Sequence, residues 1–100
     1  GKINQKHLDF YKQRAKYLGA ITPEPLYIDK GLRELPMQIG ISSEKHIEGL
    51  QKLSSMVHSF DTKLIAHLNH PGRMANPMIP NNYFISSTDR ACEAGGATPK

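Results

Sequence analysis

Apolar positions recur at helical spacing in two stretches of this chain and alternate in a third. Leu8, Tyr11, Ala15 and Leu18 follow a 3.6-residue period, with Lys6, Lys12 and Lys16 largely off that stripe. The pattern predicts a helix over residues 5–18, with Asn4 as N-cap and Gly19 as the C-terminal stop. Ile47, Leu50, Leu53 and Val57 form a second stripe. It predicts a helix over residues 43–59, opened by Ser42 or Ser43, with Glu44 favourably placed in the first turn. Ala20-Ile21-Thr22 reads as a short strand, cut off by Pro23-Glu24-Pro25 because proline brings no N–H to a ladder. In residues 63–68, Leu64, Ala66 and Leu68 alternate with Ile65 and His67, so the two sets lie on opposite faces of a second strand. Residues 26–41, with Gly31, Pro36 and Gly40, read as a long connection, and residues 69–100 carry no convincing period.

The order helix, strand, helix, strand, loop implies parallel strands with helices packed outside them. Two short strands do not make a sheet with both faces covered. A tail as long as residues 69–100 is also too much loop for a complete domain. The expectation is therefore a piece of a larger α/β structure. The 100 residues allow one domain at most, and 38% apolar with 22% charged residues is a globular balance. No apolar run approaches the roughly 18 residues a membrane span requires. No signal-peptide pattern opens the chain. The lone Cys92 fits a reducing compartment, so a cytoplasmic location is expected. The net charge of +4 raises the question of a polyanion, but the basic residues are dispersed, and nucleic acid is not an expected partner.

Candidate chemistry gathers where the second strand ends. Its apolar run gives way to His67-Leu68-Asn69-His70, then Pro71-Gly72-Arg73. In parallel α/β architectures, strand C-terminal ends are where ligand sites form. His67-x-x-His70 invites a metal, but positions i and i+3 of a strand face opposite ways, and zinc needs three or four ligands. His58 and Glu24 would have to converge on the pair, and no metal is expected. Gly72 suits a backbone conformation closed to other residues. Arg73 suits either an anionic substrate group or a carboxylate of the fold. Glu24 either braces the site or holds neighbouring backbone N–H groups.

Four segments in order resemble the old yellow enzyme family of NADH:flavin oxidoreductases. They are His7 to Ala15, Gly19 to Ile28, Ile39-Gly40-Ile41 followed by His46-Ile47-Glu48-Gly49-Leu50, and His67 to Arg73. Ala97-Thr98-Pro99 resembles the family's lead into the next helix. The fold implied is α/β, a partial (β/α)8 TIM barrel running from the first helix through the loop after the third strand. A whole barrel takes about 250 residues. Residues 1–100 are thus expected to be a fragment of one flavin-binding barrel domain.

The resemblance implies flavin chemistry. NADH or NADPH gives hydride to FMN, which passes it to an α,β-unsaturated carbonyl or enoyl thioester. Two family FMN contacts fall at Pro25 and His67, and both depart from the usual pattern. His67 stands where the family has Gln, offering one donor and one acceptor when neutral, or two donors when charged. Pro25 has no N–H, so only a contact by shape is left. The resemblance puts no catalytic residue in this chain. The paired His/Asn substrate anchors, the proton-donor tyrosine and the phosphate loop lie outside it, as do the cysteines for an iron–sulfur cluster found in longer relatives. Cys92 reads as a bystander thiol. The alternative is a non-catalytic barrel fragment or split-protein segment, associating with itself or with a complementary barrel segment through exposed strand and helix faces.

Overall fold

Asn4 and Ser43 start the helical segments, and the termini show why. A computed structural model describes residues 1–90 and Glu93. Cys92 and Ala97-Thr98-Pro99 lie outside the described residues. Helix α1 spans Gln5–Ala15, with the Asn4 side chain accepting the His7 N–H. It stops three residues before Leu18, because Tyr17 and Leu18 find nothing to pack against and stand 80% and 48% exposed. Gly19 is thus not its stop signal. Helix α2 spans Ile47–His58 and is preceded by a 3-10 turn, Glu44–His46, capped by Ser43. Leu53 and Val57 from α2 pack with Tyr11 and Ala15 of α1 and with Ile21. Ile3, Leu8, Met56, Phe60 and Leu64 ring that cluster.

Four short strands run parallel in pairs. Strand β1 (Ala20–Ile21) pairs with β3 (Lys63–Leu64), and β2 (Leu26–Tyr27) pairs with β4 (Leu68–Asn69). The stretch expected as one strand over 63–68 is therefore interrupted at residues 65–67. The stretch 26–41 is not all connection: β2 lies in it, and Tyr27 also bridges Gly40 in parallel. Tyr27 N–H donates to Ile39 O at 3.0 Å and Ile41 N–H to Tyr27 O at 2.9 Å, so residues 39–41 line the other side of β2.

The cause of the interruption lies in the prolines. Residues 22–25 separate β1 from β2, whereas only residues 65–67 separate β3 from β4. One extra residue on the proline side makes a bulge. It lets Ile21 and Leu26 both be buried, Ile21 in the cluster with the helices and Leu26 on a hollow shared with Leu53, Leu64 and Ala66, although strict alternation would have set them on opposite faces. Leu64 joins the core as its spacing predicted. Leu68 does not; it is 60% exposed, since nothing covers the end of β4.

The β3 entrance is fixed from the helices. Thr62 is fully buried, and its hydroxyl lies 2.6 Å from Ala15 O and 2.8 Å from Leu18 O. It thereby ties the end of α1 to the start of β3. Residues 70–83 fold back on residues 29–33 after β4. Asn82 Nδ2 donates to Arg33 O at 2.8 Å, Tyr83 N–H to Gly31 O at 2.8 Å, and Tyr83 Oη–H to Asp29 Oδ2 at 2.8 Å. Gly72 adopts φ +57°, the left-handed conformation expected of it. Among the described residues, no helix is long and apolar enough to cross a membrane.

Candidate functional site

The bulge decides where the two candidate contacts sit. Leu26 N–H donates to His67 O at 2.8 Å, so Pro25 and His67 are neighbours across adjacent parallel strands. By alternation both lie on the face opposite Leu26 and Leu68. Both are exposed. The imidazole of His67 has no hydrogen-bond partner among the described residues, leaving a donor and an acceptor free for a ligand.

The surrounding side chains hold the backbone rather than the ligand. Tyr11 reaches over from α1: its hydroxyl donates to Glu24 Oε1 at 3.0 Å and accepts the Glu24 N–H at 3.0 Å. Burial pushes the Tyr11 phenol above its ordinary value. Glu24 thus braces the proline bulge from the helix side. On the other flank Gln38 is buried. It donates through Nε2 to Pro25 O at 3.2 Å and accepts the Glu34 N–H on Oε1 at 2.9 Å. A hollow of about 250 Å³, lined by His7, Glu24, Pro25, Leu35 and Met37 among others, opens beside this bulge. One residue further, Asn69 Nδ2 approaches Glu34 Oε1 at 3.5 Å, and the Tyr27 hydroxyl lies 3.2 Å from His46 Nε2. His46 is buried, which holds its imidazole below the ordinary value, helped by the nearby Lys2 and Lys45.

The residues weighed as metal ligands do not gather. His70 Nδ1 accepts the Gly72 N–H at 3.1 Å, and His58 sits on α2 beside Ser54. Among the described residues no group of three or more His, Cys, Asp or Glu side chains is arranged to hold a metal ion. Arg73 is half-buried in the 3-10 turn Gly72–Met74.

Sequence reasoning missed Gln38 and the Tyr27–His46 pair. Gln38 had no signal, since a lone Gln in a loop reads as solvated. The pair had a faint one: Ser43 and His46 have capping-box spacing, with His in place of the usual Glu or Gln.

The donor set fits one edge of a flavin better than the other contact does. The free imidazole at His67 matches a polar heterocycle edge. Pro25 lacks an N–H and its carbonyl is engaged by Gln38, so it offers a flat apolar surface and nothing more.

No family model matches the chain. It is similar to several curated oxidoreductases. An NADH:acrylate oxidoreductase of Vibrio harveyi is 34% identical over 77 residues, covering 77% of this chain and 8% of that protein. An NADPH dehydrogenase of Clostridium acetobutylicum is 39% identical over 74 residues, covering 73% of this chain and 22% of that protein. An NADPH dehydrogenase of Bacillus subtilis (strain 168) is 32% identical over 100 residues, covering 99% of this chain and 29% of that protein. The chain thus spans less than a third of the length of each. All three names are those of nicotinamide-dependent oxidoreductases.

Proposed function

We propose that this chain is part of an old yellow enzyme family oxidoreductase. In that reading residues 1–100 supply a flavin-binding (β/α)8 barrel with its first helix, second and third strands and the loop beyond. The whole protein passes hydride from NADH or NADPH to an α,β-unsaturated carbonyl or enoyl thioester. The observation that carries the reading is that Pro25 and His67 stand side by side on one face, between the parallel ladder β1–β3 and the parallel ladder β2–β4. The nicotinamide-dependent relatives support it.

FMN, when bound, supplies the hydride acceptor and donor chemistry. This chain's contribution is placement. His67 offers its imidazole to the polar edge of the ring, and Pro25 packs by shape against it. Tyr11 and Gln38 fix the bulge that carries Pro25. No residue of this chain is given a catalytic role.

The test is direct. The full-length protein should purify yellow or bind added FMN, bleach with NADH or NADPH, and recover its colour on adding an enone, acrylate or an enoyl thioester. A protein that binds no flavin would refute the reading.

A second reading has its own observation. Ile65, in the break after β3, is 52% exposed, and Leu68, on the open-edged β4, is 60% exposed. That favours an association module, covered by a complementary barrel segment or a second copy. A colourless protein whose sedimentation depends on concentration, and loses that dependence in Ile65→Lys, would favour it over the flavoenzyme.

A further inference from the structure

Both helical segments begin with a histidine doing the work usually given to Glu or Gln. At α1, Asn4 Oδ1 accepts the His7 N–H at 3.1 Å, and the Asn4 N–H donates back to His7 Nδ1 at 3.0 Å. At the turn leading into α2, the Ser43 N–H donates to His46 Nδ1 at 3.3 Å. In each case Nδ1 is the acceptor, so the neutral ring carries its proton on Nε2. Glutamine in that role never titrates, and glutamate keeps accepting down to about pH 4. A histidine stops accepting once Nδ1 is protonated, near pH 6.5 in an unperturbed ring. It then also sets a positive charge at a helix start, where the backbone dipole disfavours it.

The two sites differ in what surrounds the new charge. His7 is partly exposed, and its Nε2 lies 4.0 Å from Glu24 Oε1. Glu34 lines the same hollow, and Lys6 and Tyr11 are the other titratable neighbours. A protonated His7 that leaves Asn4 still has a carboxylate to meet. His46 is 8% exposed. The groups facing it are the Tyr27 hydroxyl at 3.2 Å from β2, the Ser43 hydroxyl at 3.4 Å from Nδ1, Lys2 ahead of α1, Lys45 from its own turn, and Glu48 and Lys52 of α2 across the same hollow. Glu48 is the one anion among them; its carboxylate is held by Lys52 at 3.1 Å, and no carboxylate of the described residues lies within ion-pair distance of the His46 ring. Gly40 also leaves no slack: a Cβ there would stand 2.6 Å from His46 Nε2 and 2.3 Å from Tyr27 Cζ.

We propose that the start of α2 is an acid-triggered release built into the fold: a proton on His46 Nδ1 removes the acceptor of the Ser43 N–H, and the turn Glu44–His46 opens away from Tyr27, while the start of α1 holds through His7 and Glu24. Tyr27 is the residue that pairs with Asn69 on one side and with residues 39–41 on the other. Release therefore loosens the segment beside the strand ends that carry Pro25 and His67. The capping geometry at Ser43 and His46 sets this release, independently of the proposed flavin chemistry.

Amide hydrogen exchange on the full-length protein at about pH 7.5 and about pH 5, corrected for intrinsic rates, tests it. The amides of Ser43 and residues 44–50 should lose protection roughly two- to tenfold in acid, the range of one lost cap. Those of residues 5–10 should change by less than about twofold, since His7 has a carboxylate to meet. His46→Gln, which keeps an acceptor that does not titrate, should abolish the loss. Unchanged protection at the α2 start of the parent, or the same loss in His46→Gln, would overturn the proposal. If that variant does not fold, ¹⁵N shifts of the parent His46 imidazole decide: a bare Nδ1 at neutral pH supports it, and an Nδ1–H tautomer refutes it.

Discussion

Removing the hydroxyl of Thr62 while keeping its shape should cost more than removing its methyl. Thr62 is 1% exposed and its Oγ1 sits 2.6 Å from Ala15 O and 2.8 Å from Leu18 O. Thr62→Val loses a buried hydrogen bond of about 1 kcal/mol. It also sets a methyl where only an oxygen fits, since 2.6 Å is well inside carbon–oxygen contact. The helix end must shift, adding about 1 kcal/mol of overpacking strain. Ala15 O keeps one partner, the Leu18 N–H at 3.3 Å, so the carbonyl is not fully orphaned and the total stays near 2 kcal/mol. Thr62→Ser keeps the bond and loses one methyl, about 1 kcal/mol with its small cavity. With a urea slope of about 2 kcal/mol/M, the midpoints should fall by about 1 M and about 0.5 M respectively. Equilibrium urea unfolding of both variants reads this out. A Thr62→Val midpoint at or above that of Thr62→Ser would refute the claim that this hydroxyl ties α1 to β3.

His67→Ala should weaken FMN binding by the full-length protein roughly two- to tenfold, the value of one hydrogen bond, and His67→Gln should largely preserve it. Both should unfold at the parent's midpoint, because the ladder uses only the His67 carbonyl; equal FMN affinity in the parent and His67→Ala would remove His67 as a contact. Gly40→Ala should destabilise by about 1–3 kcal/mol, as its Cβ would meet the Tyr27 ring at 2.3 Å, and thermal unfolding checks it. Stability should also depend on acid through His46. Its folded value is lowered by burial, so between that value and about 6.5 the unfolded chain binds the extra proton. The contribution is whole above about pH 6.5 and is lost as pH falls through the folded value; a flat urea midpoint from about pH 7.5 to about pH 5 would contradict it.

Much of the local architecture was legible in the chain. The stripe Leu53–Val57 and the Tyr11–Ala15 face announced two helices, Asn4 announced a cap, and Gly72 announced a left-handed turn, because each is set by near neighbours and by what a single residue's backbone can adopt. The apolar alternation around Leu64 announced a strand beside β1 in parallel. The bounds failed where packing decided them. Leu18 continues the helical period yet stands outside the helix, and Leu68 continues the strand alternation yet stands in the open. Strand β2 and residues 39–41 were hidden because a two-residue strand carries no period, and its ladder bonds come from partners about 12 to 42 residues away. Above all, only the tertiary structure fixed the bulge at residues 22–25. Proline broke the alternation in the sequence, but the number of residues facing the break on the other strand decided which face resumed. That count buries Leu26 and puts Pro25 beside His67.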